Sequence, residues 1–169
     1  PRNVIIDGVD DSKKISAKKR ELLYDKIINE AVAYSIATAS VEEIETINIL
    51  QATFLAMKRA YDGLSVNSDI ALVDGNRSPS LPVKVVPIVK GDSISESIAS
   101  ASILAKVARD RYMLSLAEKY PEYQFEKHKG YVTKAHKEAL EKYGVTPIHR
   151  KSFAPVQKVL NEQLSFDFE

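Results

Sequence analysis

A chain of 169 residues with 44% hydrophobic content can bury one ordinary core, and its 24 Lys and Arg against 23 Asp and Glu leave a net charge of only +1. The absence of cysteine excludes a disulfide framework and a thiolate metal site, and no apolar run approaches the roughly 18 residues of a membrane-spanning helix. A Cys-free chain with no visible signal peptide, opening at Pro1 without an initiator Met, fits a reducing cytoplasm.

Ser16 is suited to cap a helix running to about Val32, with Leu23, Ile27 and Ala31 on one face. Ala33 to Ala39 alternates Tyr34, Ile36 and Thr38 in the manner of a strand. Ser40-Val-Glu-Glu43 reads as a capping box that opens a short helix. After Asn48, the residues Leu50, Phe54, Met57 and Tyr61 form an apolar helical stripe that Gly63 stops, and such a stripe is core. Two β-like runs follow, one ending at Asp74 and the other reaching Lys90. Ser93-Ile-Ser-Glu96 looks like a second capping box, launching a long helix from about Ile94 to Lys119 that Pro121 ends. Further helices are expected from Thr133 to Tyr143, closed by Gly144, and from Pro155 to about Leu164. Strands followed by long helices, with no repeat or linker, argue one α/β unit.

Chemistry concentrates at the two strand ends. A carboxylate there can lean into the cleft where open α/β sheets bind ligands, and two could share a divalent cation for phosphodiester hydrolysis. Taken singly, Asp74-Gly75 is ordinary hairpin punctuation, and Asp92 is an acid that favours a helix N-terminus. Their surroundings add glycines (Gly75, Gly91), cations (Arg77, Lys84, Lys90) and hydroxyls (Ser78, Ser93), which together suit a polyanion. A pair is still thin ligation for metal chemistry.

Basic residues cluster at Lys13, Lys14, Lys18, Lys19 and Arg20, and again from Lys127 to Lys151. Lys127-His-Lys-Gly-Tyr131 suits phosphate contact plus stacking on a sugar or base, and His149-Arg-Lys-Ser-Phe153 repeats that chemistry. The three histidines, His128, His136 and His149, are scattered without metal-ligand spacing, which argues against a zinc site.

Seven blocks occur in an order that resembles bacterial ribonuclease HII over about residues 4 to 160. They are Asp11-Ser-Lys-Lys-Ile-Ser16, Asn48-Ile-Leu-Gln-Ala-Thr53, Leu72-Val-Asp-Gly-Asn76, Lys90-Gly-Asp-Ser93, the helix segment Ser97 to Asp110, His128-Lys-Gly-Tyr131 and His149 to Val156. The His-Lys-Gly-Tyr loop fits type HII better than the related type HIII. The resemblance implies a ribonuclease H-like α/β fold, a mixed sheet flanked by helices, in one domain over residues 1–169 with a C-terminal helix and tail at 155–169. It implies an endonuclease that cuts the RNA strand of RNA–DNA hybrids and incises 5′ to single ribonucleotides in duplex DNA, by two-metal hydrolysis with Mg²⁺ or Mn²⁺.

Asp74 and Asp92 match two of the family's four metal-binding carboxylates. The other two form an Asp-Glu pair followed by a Gly-Arg-Gly turn, and this sequence contains no Asp-Glu-x-Gly-Arg-Gly. The expectation is that the N-terminal hairpin strands bearing it are absent from this chain. The 169 residues alone would then be inactive or nearly so and lack a central strand's stabilisation, and a non-catalytic nucleic-acid-binding remnant is the rival reading. Asp7, Asp10 and Asp11 fall in a loop and are not expected to replace the pair. By resemblance, Lys13, Lys14 and Asn48 contact phosphates, Tyr131 packs on the deoxyribose beyond the RNA–DNA junction, and Lys129 and Arg150 complete the nucleic-acid surface. Gln163-Leu-Ser-Phe-Asp-Phe168 resembles the short tails that bind the bacterial sliding clamp.

Overall fold

The structure, a computed structural model, describes residues 4–166, with side chains up to residue 162. By its internal contacts the chain forms two compact units, one made of residues 1–38 and 53–109, the other of residues 39–52 and 110–169.

In the first unit, helix α1 (Ala17–Glu30) starts where Ser16 accepts a hydrogen bond from Lys19 N–H through its hydroxyl. Its apolar face buries Leu23 and Ile27, which join Ile6, Ile103, Leu104 and Val107 in one core. Strand β1 (Ile70–Asp74) pairs in parallel with β2 (Lys84–Ile88), with Asp74 opposite Ile88. The ladder continues one step past the strand, since Gly75 N–H donates to Ile88 O at 2.9 Å. Because the strands are parallel, Asp74-Gly75 is no hairpin turn; it opens a crossover that carries the chain back to the opposite end of the sheet, where Lys84 lies beside Ile70. A 3₁₀ turn (Gly91–Ser93) follows β2.

Helix α3 (Glu96–Lys119) starts two residues later than the sequence suggests, and the expected capping box of Ser93 and Glu96 is not what holds its start. The Glu96 carboxylate instead accepts from Ile6 N–H, and the Ser93 hydroxyl faces Lys14 Nζ at 3.4 Å. Both groups serve tertiary partners, which outcompete a local cap. Residues 33–40 form no strand either. Exposure alternates along them as expected, but with Tyr34 (45%) and Ile36 (39%) facing out while small residues face in. Ser35 lies so close to Gly63 that a Cβ there would sit 2.5 Å from its hydroxyl, and Arg59 donates to the Thr38 carbonyl. The inward small residues thus pack side chain against helix, and no neighbouring strand among the described residues offers them a ladder.

In the second unit, Ser40 and Glu43 close the predicted capping box reciprocally, at 3.2 and 2.8 Å, at the start of α2 (Val41–Asp62). Asn48 breaks this helix with φ 66° and ψ 165°, and its side-chain oxygen caps the next segment by accepting from the Leu50 and Gln51 amides. The C-terminal part of α2 and the N-terminal part of α3 belong to the first unit. The stripe Leu50, Phe54, Met57, Tyr61 is only half-buried, with Ala52 the buried member of the helix. The second core gathers Met113 and Leu116 of α3, Tyr123, Phe125, Ala139, Leu140, Val156 and Val159. It joins the short α4 (Phe125–His128), α5 (Lys134–Tyr143), closed by Gly144 as expected and capped at its start by Thr133, and α6 (Ala154–Phe166). No helix among the described residues is long and apolar enough to cross a membrane.

Candidate functional site

The end of β1 and the turn after β2 line an open cleft of about 480 Å³ in the first unit. Asp11, Asp74 and Asp92 bring carboxylates to its lining, Lys13, Lys14 and Lys90 bring ammonium groups, and Gly75 and Ser93 complete it. Asp74 is exposed at the last position of β1, and Asp92 is 8% exposed in the turn after β2. The turn is also what fixes Asp74: its Oδ1 accepts from Gly91 N–H at 2.8 Å, tying the carboxylate of one strand end to the backbone after the other. A carboxylate has about four lone-pair positions, so one such bond orients it and leaves capacity for a ligand.

Glycine is needed at two positions. Gly75 has φ +116°, a conformation side chains rarely adopt, yet a Cβ there would meet nothing within 4 Å; the backbone faces open space where a bulky ligand can approach. At Gly91 a Cβ would come 2.6 Å from Ile98 Cδ1, so glycine lets the turn sit on α3.

Carboxylate oxygens are the donors that Mg²⁺ and Mn²⁺ favour, so Asp74 and Asp92 fit such a cation in kind. They are short in number: among the described residues no group of three or more His, Asp or Glu side chains is arranged to hold a metal ion. Asp11, which sequence reasoning set aside with Asp7 and Asp10, does line the cleft, but its Oδ1 is turned back to accept from Lys13 N–H at 2.9 Å. Only the chain fold brings it there, and no local pattern signals it. Asp10 pairs with Lys14 at 3.5 Å, and the Asp11 N–H bonded to its carboxylate, foremost, holds its pKa below the usual value.

Of the predicted nucleic-acid contacts, Lys13 and Lys14 therefore share the cleft with both aspartates. Asn48, Lys129, Tyr131 and Arg150 belong to the second unit. Asn48 is exposed at the kink of α2, in a backbone conformation unusual for a residue with a side chain. Lys129 (φ 50°) and Gly130 (φ 79°) turn the chain in left-handed geometry so that Tyr131 emerges 65% exposed. The Arg150 guanidinium lies 4.8 Å from the centre of the Phe153 ring, a cation–π contact that holds it half-buried. The tail Gln163–Phe168 lies outside the described side chains.

The strand-end carboxylates, the parallel sheet and the helices that follow define an α/β fold of the ribonuclease H type. A crystal structure of the ribonuclease H2 from Pyrococcus horikoshii OT3 superposes with a TM-score of 0.80 at 26% identity, covering 92% of this chain and 81% of that one. The family model described as ribonuclease HII matches residues 6–156. The ribonuclease HII of Natranaerobius thermophilus is 51% identical over 169 residues, 100% of this chain and 85% of that protein. That of Neisseria meningitidis serogroup A is 53% identical over 167 residues, 98% of this chain and 86% of the relative. The chain belongs to the ribonuclease HII family, a family of ribonuclease H enzymes.

Proposed function

We propose that this chain carries the fold and two of the metal-binding carboxylates of an endonuclease that hydrolyses the RNA strand of RNA–DNA hybrids and incises 5′ to single ribonucleotides embedded in duplex DNA. The observation that carries the reading is the pairing of Asp74 with Asp92 across one cleft, linked through Gly91 N–H and rimmed by lysines. Asp74 and Asp92 would hold Mg²⁺ or Mn²⁺ there. A divalent cation so held supplies charge that offsets the anionic phosphodiester and makes a bound water acidic. The chain's own residues do the rest. Lys13, Lys14 and Lys90 draw the phosphate backbone toward the carboxylates, and the open backbone at Gly75 admits it. Asn48 and Arg150 add phosphate contacts, Lys129 assists, and Tyr131 packs on the deoxyribose that follows the ribonucleotide, where the missing 2′-hydroxyl identifies a junction. The enzyme would work in the cytoplasm on such duplexes, with the Gln163–Phe168 tail docking on the sliding clamp.

Two carboxylates are half the family's set, so the 169 residues by themselves should be inactive or nearly so. That shortage is also the observation favouring a non-catalytic binding remnant. Fusing a relative's Asp-Glu-x-Gly-Arg-Gly segment ahead of Pro1 separates the two. The endonuclease reading expects Mg²⁺-dependent cleavage of a duplex carrying one ribonucleotide, abolished by Asp74→Asn, with the unfused chain near background. A fusion that folds and binds but does not cut would establish the remnant.

A further inference from the structure

The three histidines that are far apart in sequence form one buried cluster in the second unit, and the cleavage chemistry uses none of them. His128, His136 and His149 are 7%, 6% and 7% exposed. The rings of His128 and His136 stack with centroids 4.6 Å apart, and His136 meets His149 Nε2 to Nε2 at 3.2 Å. Three clustered imidazoles would suit a metal, but every ring nitrogen already has a hydrogen-bond partner.

Those partners dictate where the protons sit, because a backbone N–H can only donate and a carbonyl can only accept. Thr146 N–H donates to His149 Nδ1 at 3.1 Å, and the Thr146 hydroxyl, 2.8 Å from the same nitrogen, donates beside it, so that nitrogen is bare and the neutral ring carries its proton on Nε2. The proton points at His136 Nε2, which must accept. His136 then holds its own proton on Nδ1 and donates it to the Tyr131 carbonyl at 3.1 Å. His128 is fixed separately, accepting from Gly130 N–H at 3.2 Å and donating to Tyr123 O at 2.8 Å. Burial favours the uncharged rings, lowering the pKa of His136 and bringing that of His149 to about 4.

We propose that His149 and His136 are positioning residues, a relay of two neutral imidazoles running from Thr146 to the Tyr131 carbonyl that fixes the backbone presenting the Tyr131 ring. The inference rests on Tyr131 as a sugar-contacting residue. Tyr131 is 65% exposed, and the backbone around it sets the direction in which its ring leaves the turn. Tyr131 N–H is held by His128 O at 2.8 Å, and its carbonyl accepts from Thr133 N–H at 2.9 Å as well as from His136. Without His136 the carbonyl loses its imidazole donor and the His149 Nε2–H loses its acceptor.

The test uses the full 169-residue chain. Long-range ¹H–¹⁵N spectra of the imidazoles should show His136 as the Nδ1–H tautomer, uncommon for neutral histidine, and His128 and His149 as Nε2–H. His136→Leu should speed amide exchange at residues 130–132 about tenfold and weaken binding of a duplex with an RNA–DNA junction by a similar factor. His136→Asn, which keeps an N–H donor at the Nδ1 position, should restore both to within about threefold. An Nε2–H tautomer at His136, or no difference between the Asn and Leu variants in exchange, overturns the relay. If exchange responds as stated but neither His136→Leu nor Tyr131→Ala weakens junction binding, the relay stands and the role given to Tyr131 falls.

Discussion

Acidification below about pH 6.5 should destabilise this protein through its buried imidazoles. His149 has a folded pKa of about 4 against an ordinary 6.5, chiefly because burial penalises its charged form, with His136 adding to the effect. Above the unfolded value the ring is neutral in both states and the folded state loses nothing. As the pH falls below about 6.5 the unfolded chain takes up a proton that the folded chain refuses until about pH 4, so stability declines across that window. For His149 alone the loss between pH 7 and 5 is about 2 kcal/mol, a sizeable share of a typical domain's stability. His136 shifts in the same direction, again mainly through desolvation, and steepens the fall. Asp10 and Glu42 have lowered pKa values, so whatever stability they contribute is present above their ordinary pKa and lost below it, in a more acidic range. Urea unfolding followed by circular dichroism at a series of pH values measures the slope. His149→Leu should remove most of it, whatever its stability at neutral pH. A wild-type stability that stays flat between pH 6.5 and 5 would refute the assignment of neutral, buried rings.

Two further outcomes follow from the surface. Lys13→Ala and Lys14→Ala should each weaken binding of RNA–DNA hybrid regardless of sequence, and each should reduce the magnitude of the salt slope by about one, as expected for a lost phosphate contact; an unchanged slope in the double variant would remove these lysines from the interface. A peptide of residues 160–169 should bind the bacterial sliding clamp in a fluorescence polarisation titration, and no binding at high micromolar peptide would dismiss that role for the tail.

Local rules carried the reading wherever a residue acts on its neighbours. Ser16, Gly144 and the Ser40–Glu43 pair cap helices as their sequence context predicts, and Asn48 marks the break in α2. Asp74 at the end of β1 is legible for the same reason, and β patterning places Asp92 just beyond the second strand, although that strand stops at Ile88 and not at Lys90 as its pattern suggests. What sequence could not reveal depends on partners distant in the chain. Glu96 abandons its cap for Ile6 N–H, 90 positions away. Asp11 reaches a cleft built by residues 74–93. His136 and His149 look unrelated along the chain and share a hydrogen bond in the core of the second unit. Periodicity misled at Ala33–Ala39, because alternation records which residues face in and which face out, and says nothing about whether another strand lies alongside.

Asp74 and Asp92, on the function proposed above, hold a divalent cation together. Mn²⁺ titration of the 169-residue chain, followed by electron paramagnetic resonance of the unbound ion, tests it without relying on catalysis. Wild type should bind weakly, in about the millimolar range expected of two carboxylates, and Asp74→Asn or Asp92→Asn should each abolish that binding. Mn²⁺ binding that survives unchanged in the Asp74→Asn/Asp92→Asn double variant would contradict the account.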